Sequence, residues 1–118
     1  MQNMRMSMAY CTPKKDAVNN RYLLAYLDIK TENDRWCYPL PSATCDVVVD
    51  KEYIFVASHG GLMALSKKDN APNRLLWRVD KKFMFPQITV KDSFVIVENM
   101  YKKRYGFDVQ TGKPRDIE

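Results

Sequence analysis

The chain has 118 residues, of which 46% are apolar and 12% aromatic, so it is long enough for one folded domain and too apolar for wholesale disorder. No apolar run reaches the roughly 18 residues of a membrane-spanning helix, and the N-terminus lacks the continuous apolar segment of a secretory signal. These features predict a single domain, residues 1–118, that stays in the cytoplasm and does not enter a membrane.

The formal net charge is +5, and the basic residues are concentrated in the second half of the chain. Residues 61–118 carry twelve basic and seven acidic side chains, whereas residues 21–60 carry four basic and six acidic ones. Such asymmetry can direct binding to nucleic acid, a membrane surface or an acidic protein. An ordinary solvated surface has the same composition, so charge alone does not identify a partner.

Three cysteines, Cys11, Cys37 and Cys45, and a single histidine, His59, leave little material for a metal site. The odd number of cysteines and the lack of C-x-x-C spacing argue against a disulfide framework and a zinc site, so buried thiols are expected. Ser58 and His59 are neighbours whose side chains point to opposite faces of a strand, which excludes them as a nucleophile–base pair. The sequence predicts no catalytic residue, no metal ligand and no cofactor.

Short apolar runs between turn-forming residues dominate the chain, which is typical of strands and not of helices. Residues 4–10 alternate apolar and polar side chains and predict a strand, whereas residues 11–20 are polar and predict a loop. Further strands are predicted over residues 21–28 and 35–38, with a turn at residues 30–34 between them.

The clearest pattern lies in residues 46–77, where β-branched and aromatic runs alternate with turns. Two of these turns are short, at residues 50–52 and at residues 58–61, which include two glycines. Four runs separated in this way predict an antiparallel meander. The predicted strands are residues 47–49, 53–57, 62–65 and 75–77.

The C-terminal part of the chain continues the same pattern. A turn is predicted at residues 91–92, a loop at residues 98–103 and a second turn at residues 110–114, while residues 115–118 are too polar to dock firmly. The whole chain is thus predicted to contain about ten strands and no helix. The strands predicted here are residues 87–90, 93–97 and 104–109.

An offset of 41 residues brings similar residues into register along much of the chain. It places Trp36 on Trp77 and Val49 on Val90. Self-similarity at about 40 residues, with four strands per period, is typical of a β-propeller blade. A blade is a small sheet that must bury its faces against neighbouring blades.

Three segments resemble the "alanine-leucine-aspartate, threonine-glycine, tryptophan" repeat of pyrroloquinoline-quinone-type (PQQ-like) β-propellers. They are LLAYLDIKTENDRW, LMALSKKDNAPNRLLW and YGFDVQTGK. The resemblance implies an all-β fold, a partial β-propeller of four-stranded antiparallel meander blades; a small β-sandwich is the alternative. The implied blades are a partial first blade at residues 4–38, a central blade at 45–79 and a partial last blade at 86–113, which ends before a fourth strand.

The resemblance also implies structural roles for particular residues. An aspartate and a threonine shape the turn between the third and fourth strands of a blade, and a tryptophan packs between adjacent blades. Ser66 departs from the pattern, because it replaces the aspartate of the middle repeat, where the turn is also longer. The matching residues are Asp28 with Thr31, Asp108 with Thr111 and Gly112, and the tryptophans Trp36 and Trp77.

The resemblance does not imply a cofactor for this chain. Enzymes of the family bind quinone and calcium with residues around a complete ring, and the chain has no equivalent set. Ten strands are also too few for a closed ring. Open blade edges and apolar blade faces invite association, so a protein partner or a homo-oligomer is expected.

Two clusters of basic and aromatic residues are candidate binding sites. Basic residues interleaved with aromatic ones can follow phosphates and stack on bases, but an ordinary hairpin loop with its aromatic side chains turned into the core has the same sequence. The candidates are Tyr101, Lys102, Lys103 and Arg104 in one cluster and Lys81 and Lys82 in the other.

Three functions follow from these patterns. The first is a non-catalytic interaction module that binds a protein partner, or self-assembles, through blade edges or a basic loop face. The second is nucleic-acid or nucleotide binding through the basic C-terminal half. The third is a fragment of a quinoprotein-like enzyme.

Overall fold

The computed structural model describes residues 9–16, 21–28, 34–40 and 43–117. The chain divides into two compact units, residues 1–43 and 44–118. Strands are the regular structure of the described residues, and none of these residues forms a helix long and apolar enough to cross a membrane. The strands are β1 Ala9–Asp16, β2 Arg21–Asp28, β3 Asp34–Leu40, β4 Thr44–Val49, β5 Tyr53–Ser58, β6 Gly61–Ser66, β7 Leu75–Asp80, β8 Gln87–Lys91, β9 Phe94–Glu98, β10 Arg104–Asp108 and β11 Pro114–Arg115.

The first unit contains an antiparallel sheet in the order β1-β2-β3. The prediction of a loop over residues 11–20 is wrong for residues 11–16, which pair with β2 as far as Asp16 opposite Arg21. Backbone hydrogen bonds to β2 outweigh the polar composition there, because the strand needs only its backbone to join a ladder. Residues 4–8 of the first predicted strand lie outside the described residues.

The second unit contains two four-stranded antiparallel sheets. The central sheet has the order β4-β5-β6-β7, and the last sheet has the order β11-β10-β9-β8. Each is therefore a meander, as predicted. The two sheets meet at β4 and β8, where Ile88 N donates a 2.7 Å hydrogen bond to Asp46 Oδ2.

Strand register repeats from sheet to sheet at the spacing that the sequence predicts. Val49 lies opposite Ile54 in the central sheet, and Val90 lies opposite Val95 in the last sheet, 41 residues further along. The repeat of similar residues therefore corresponds to a repeat of backbone pairing.

Trp36 and Trp77 also occupy equivalent places in their own sheets. Trp36 pairs with Tyr26 and Trp77 pairs with Ala64, and in both sheets the register shifts immediately after that pair. Such a bulge bends the strand locally and re-aims its side chains.

The core of the second unit lies between the central and last sheets. Its buried members are Phe55, Ala57, Leu62, Ala64 and Trp77 from the central sheet, Phe83 from the connection, and Ile88, Val95, Val97, Phe107 and Val109 from the last sheet and the turn after β10. Apolar residues of β5, β6, β9 and β10 thus fill the space between the two sheets.

Trp77 connects the central sheet to the last sheet through a hydrogen bond and a packing contact. Its indole Nε1 donates a 2.8 Å hydrogen bond to Val109 O. A Cβ on Gly112 would lie 2.6 Å from Trp77 Cδ2, and Gly112 has a φ of 76°, a conformation that favours glycine. The indole ring therefore rests directly on the backbone of Gly112, between the sheets.

Asp108 organises the turn that contains Gly112. Its Oδ1 accepts hydrogen bonds from Gln110 N at 2.8 Å and Thr111 N at 3.1 Å, and Gly112 N donates to Asp108 O at 2.8 Å. Thr111 Oγ1 accepts from Lys113 N at 3.2 Å. The aspartate and the threonine thus both accept hydrogen bonds from the backbone of this turn.

The turn leads into a fourth strand that the sequence does not predict. Strand β11 has two residues, with Pro114 opposite Phe107 and Arg115 opposite Gly106. The expectation that the last blade ends before a fourth strand is wrong. The strand could not be predicted because its two residues, one of them a proline, form no recognisable apolar pattern. The backbone pairing alone makes them a strand.

The longer turn of the central sheet is held by Arg74 in place of an aspartate. The Arg74 guanidinium donates to the carbonyl oxygens of Ser66 at 2.8 Å and Asp69 at 3.0 Å, and also to that of Lys68. One side chain thus gathers three carbonyl groups of the loop, which compensates for the departure from the repeat at Ser66.

The expectation of buried thiols is wrong for Cys37 and Cys45, which are exposed. Cys37 lies on β3, whose residues alternate between more and less exposed positions, and it falls on the exposed phase. Cys45 lies at a register shift of β4, between Thr44 and Asp46, where the bulge turns its side chain away from the core.

Candidate binding face

Three connections of the second unit end on the same side of its sheets. They are residues 59–60 between β5 and β6, residues 81–86 between β7 and β8, and residues 99–103 between β9 and β10. Phe83 N donates to His59 O at 3.1 Å, and Met100 N donates to Met84 O at 2.8 Å. These backbone hydrogen bonds join the three connections into one surface, which we call the loop face.

The hairpin at residues 99–103 is rigidly built around Asn99. Its side-chain Oδ1 accepts from Tyr101 N at 2.9 Å and from Lys103 N at 3.0 Å, and its backbone N donates to Lys103 O at 2.9 Å. Lys102 takes a φ of 70° at the tip. This closed geometry holds the side chains of Met100 and Tyr101 away from the core.

The connection at residues 81–86 is anchored by Phe83, which is 1% exposed and packs edge-on against Tyr105 and Phe107. Phe85, two residues later, faces outward with a φ of 51°. Its ring meets the His59 ring edge-on at 4.7 Å, and His59 Nδ1 donates to Phe83 O at 3.1 Å. A phenylalanine is thus held outward in a backbone conformation that is costly for a residue other than glycine.

Four exposed apolar side chains lie together on the loop face. Met84 is 43% exposed, Phe85 59%, Met100 50% and Tyr101 69%. We call these four residues the apolar patch. The expectation that the aromatic residues of this hairpin turn into the core holds for Tyr105, which packs against Phe83, but not for Tyr101.

The structure brings the two predicted basic clusters together at one aromatic ring. Lys81 Nζ lies 4.7 Å from the centre of the Tyr105 ring, and Lys103 Nζ lies 5.5 Å from it. Each contact of this kind contributes about 0.5–1 kcal/mol at an exposed site. Lys82 is exposed beside Lys81.

Lys102 and Arg104 share one acidic neighbour. Lys102 Nζ and Arg104 Nε each lie 3.8 Å from a carboxylate oxygen of Glu98. Exposed ion pairs contribute about 0–1 kcal/mol, and these two are long. Both cations therefore remain accessible to another anionic group at little cost.

A cavity of about 720 Å³ opens beside the loop face, next to the ends of β7 and β10. Four of its lining residues are basic, namely Lys81, Lys102, Arg104 and Arg115, and two are acidic, namely Asp80 and Asp116. The charge of Asp80 is offset by Arg78, whose Nε lies 2.9 Å from Asp80 Oδ1. We call this cavity the basic cavity. Sequence reasoning found three of its basic residues and missed Arg115, which enters through the unpredicted strand β11.

The opposite side of the second unit carries a smaller cavity of about 400 Å³ beside the turns at residues 50–52 and 92–93, and its charged lining residues are Asp50, Glu52, Asp92, Asp108 and Lys51. Within the described ranges, no three His, Cys, Asp or Glu side chains are grouped so that they could hold a metal ion. Asp108 lies on this side. The hydrogen bond from Gln110 N lowers the pKa of its carboxyl group, and the hydrogen bond from Thr111 N and the nearby Arg115 lower it further.

Ser58 and His59 hydrogen-bond to backbone groups of the loop face. Ser58 Oγ accepts from Gly60 N at 3.3 Å inside its own hairpin, while the His59 ring is directed to Phe83. Partial desolvation raises the pKa of the Cys45 thiol although the residue as a whole is exposed, and Asp46 adds to this effect. A raised pKa reduces the thiolate fraction that a nucleophile needs.

The first unit contains the remaining residues that the resemblance singles out. The Trp36 ring lies 5.2 Å from the Tyr26 ring, tilted by 43°. Asp28 ends β2, where it pairs with Ala9. Thr31 lies outside the described residues, and so does the turn that it is implied to shape with Asp28.

No family model matches this sequence, and no curated protein matches it. Among solved structures, BamB from Moraxella catarrhalis is similar with a TM-score of 0.68 and 16% identity, over 90% of this chain and 32% of that one. A europium-containing methanol dehydrogenase is similar with a TM-score of 0.65 and 14% identity, over 91% of this chain and 22% of that one.

Identities this low establish the fold alone, and the chain spans only a third or less of either structure. The fold is a partial β-propeller of antiparallel blades with PQQ-like repeats. The sheets β4–β7 and β8–β11 are accordingly a central and a last blade.

Proposed function

We propose that this piece of β-propeller is a non-catalytic interaction module that binds a protein partner through its loop face. The observation that carries the proposal is the apolar patch of Met84, Phe85, Met100 and Tyr101, four exposed residues on two connections that the hydrogen bond from Met100 N to Met84 O joins. Exposed apolar side chains scattered singly are ordinary, whereas a contiguous group with a polar rim is typical of a protein interaction site.

The composition of the loop face supports a protein partner. Aromatic residues and methionine are enriched at protein interfaces, and the fully buried centre of an interface is depleted of charge. The apolar patch has this composition, and lysines such as Lys82 and Lys103 lie around it. Methionine also adapts its shape to a partner because it is unbranched and polarisable.

Nucleic-acid binding is the second candidate, and the basic cavity is the observation in its favour. Single-stranded nucleic acid needs a basic groove and aromatic faces on which bases stack. The Tyr105 ring already carries Lys81 and Lys103, so Tyr101 is the aromatic residue of the hairpin left for stacking. A phosphate backbone would also leave Met84 and Met100 uncovered. A protein partner accounts for the exposed methionines and is therefore preferred.

Capture experiments with patch variants test the proposal. The full chain is immobilised as wild type, as Phe85→Ser, as Tyr101→Ser and as the control Leu76→Ser, which changes an apolar residue that is 44% exposed on β7. We expect a protein that is retained by the wild type and the control and retained about tenfold less by both patch variants, because hot spots lie at aromatic anchors. Equal retention by all four proteins, or loss of the captured material on nuclease treatment, would refute the proposal.

Two further measurements complete the test. Thermal midpoints of all four proteins show whether a variant has lost its fold, which is not expected because the substituted side chains are exposed. Native mass spectrometry of the captured complex distinguishes a different protein from a second copy of this chain, the self-assembly that open blade edges favour.

A further inference from the structure

The apolar patch and the basic cavity are continuous along the chain. Lys102 lines the cavity and directly follows Met100 and Tyr101 in one hairpin, and Lys81 lines the cavity at the start of the connection that carries Met84 and Phe85. A ligand that covers the patch is therefore next to Lys81 and Lys102.

Lys102 and Arg104, two of the cations that line the cavity, are available to such a ligand. The Lys102 side chain is 85% exposed, and its contact with Glu98 is 3.8 Å long. Arg104 has the same carboxylate at the same distance. Exchanging one carboxylate for another costs little at an exposed site, and complementary charge speeds the encounter and selects among partners.

The far side of the second unit carries charges of both signs. The smaller cavity there is lined by Asp50, Glu52, Asp92 and Asp108 and also by Lys51, whereas four of the six charged residues that line the basic cavity are basic. The excess of positive charge, which attracts a partner with negative charge, therefore lies beside the loop face.

Resting on the proposed function, we infer that the partner segment which binds the loop face is acidic and carries an apolar side chain. The apolar side chain covers Phe85 and Tyr101, and neighbouring Asp or Glu side chains reach Lys102 and Arg104 in the basic cavity. This specifies the chemistry of the partner: a short, exposed, acidic segment of a protein with at least one large apolar residue.

Fluorescence anisotropy with the full chain tests the inference. The probes are three labelled peptides that share a Leu-Phe pair flanked by Asp and Glu, by Ser and Gln, or by Lys, together with single-stranded oligothymidine. We expect the acidic peptide to bind about tenfold more tightly than the uncharged one, a ratio that corresponds to about 1.4 kcal/mol, and the Lys peptide to bind most weakly.

Matched variants locate the two halves of the site. Lys102→Glu should weaken the acidic peptide about tenfold and leave the uncharged peptide unchanged, whereas Phe85→Ser should weaken both. The controls are Lys91→Glu, at the end of β8 away from the loop face, and Leu76→Ser on β7. Neither control should change the affinity of any peptide.

The possible results separate this inference from the proposed function. Equal affinity for the acidic and uncharged peptides would overturn the inference, and so would tighter binding of oligothymidine that Lys102→Glu abolishes and Phe85→Ser does not change. If no peptide binds but capture by the wild type still depends on Phe85, the acidic segment is wrong and the proposed function stands. If capture fails as well, both fall.

Discussion

Trp77 and Gly112 form the contact that defines how the central and last blades pack. The indole ring lies against a backbone position that no side chain can share, and Nε1 satisfies its hydrogen-bonding capacity at Val109 O. Burial of a tryptophan contributes several kcal/mol, of order 3–5 when it is truncated to alanine. Gly112, four residues after the end of β10, therefore forms part of this interface together with the tryptophan.

Gly112→Ala should destabilise the protein by about 1–3 kcal/mol, because the added Cβ clashes with the indole and the positive φ strains alanine. Gly60→Ala is the matched control, since a Cβ there meets nothing within 4 Å, and it should change stability by less than about 0.5 kcal/mol. Denaturant unfolding of the full chain measures both. Equal effects of the two substitutions would show that the indole does not rest on Gly112.

Residue type is a weaker guide to the position of a cysteine than to that of a tryptophan. A large aromatic residue such as Trp77 has few places in a small protein other than a core, so its role could be inferred from its spacing. The exposure of Cys37 and Cys45 depends on the phase of a strand and on a bulge. Neither can be deduced without the register, because a shift of one residue moves a side chain to the other face.

The turn between β10 and β11 is an element whose stability depends on one carboxylate. Asp108 accepts from two backbone N–H groups, and its Oδ2 lies 2.8 Å from Arg115 Nη1. Arg115 in turn places its guanidinium 4.6 Å from the centre of the Phe94 ring. The turn, strand β11 and strand β9 are therefore linked through ionised Asp108.

The pKa of Asp108 is lowered in the folded protein, so its stabilising effect is complete above the unfolded-state pKa of about 3.9 and is lost as the pH falls through the lower folded-state pKa. The thermal midpoint of Asp108→Asn should therefore lie below that of the wild type at pH 7. The difference should narrow as the pH is lowered from about 5 towards 3. Thermal melts across this range measure it, and a constant difference would contradict the role of the ionised carboxylate.

At the level of elements, apolar patterning predicted strands β2 to β10. It did not predict residues 11–16 of strand β1, and it did not predict strand β11. Residues 11–16 are polar and β11 has two residues, and both are strands because a neighbouring edge offers hydrogen bonds. The approach of Lys81 to Lys103 was also beyond sequence reasoning. Twenty-two positions separate them, and they meet at Tyr105 only because the two connections end on the same side of the unit.

On the scale of the whole second unit, rigid blades present two different surfaces. The loop face joins the apolar patch to the basic cavity, and the far side carries the acidic turns at residues 50–52 and 92–93. Sites built on connections between packed strands are positioned by the scaffold and free to vary in sequence. This separation accounts for a well-marked repeat in the strands and for the position of the proposed binding residues outside it.

The proposed binding surface could be predicted from sequence only in part. Tyr101, Lys102 and Arg104 stood out as a cluster, whereas Met84 and Phe85 belonged to a segment with no clear pattern. Phe83 and Phe85 have the same residue type, yet Phe83 is buried and Phe85 is exposed. The difference arises from the positive φ at Phe85, which only the folded backbone reveals.

Backbone amide NMR of the full chain during titration with the acidic Leu-Phe peptide tests the central claim most directly. We expect the shifts of residues 84–85 and 99–104 to change with a common affinity, while those of residues 50–52 and 91–93 stay constant. Shift changes confined to residues 50–52 and 91–93, or no shift change at saturating peptide, would contradict the assignment of the loop face as the binding surface.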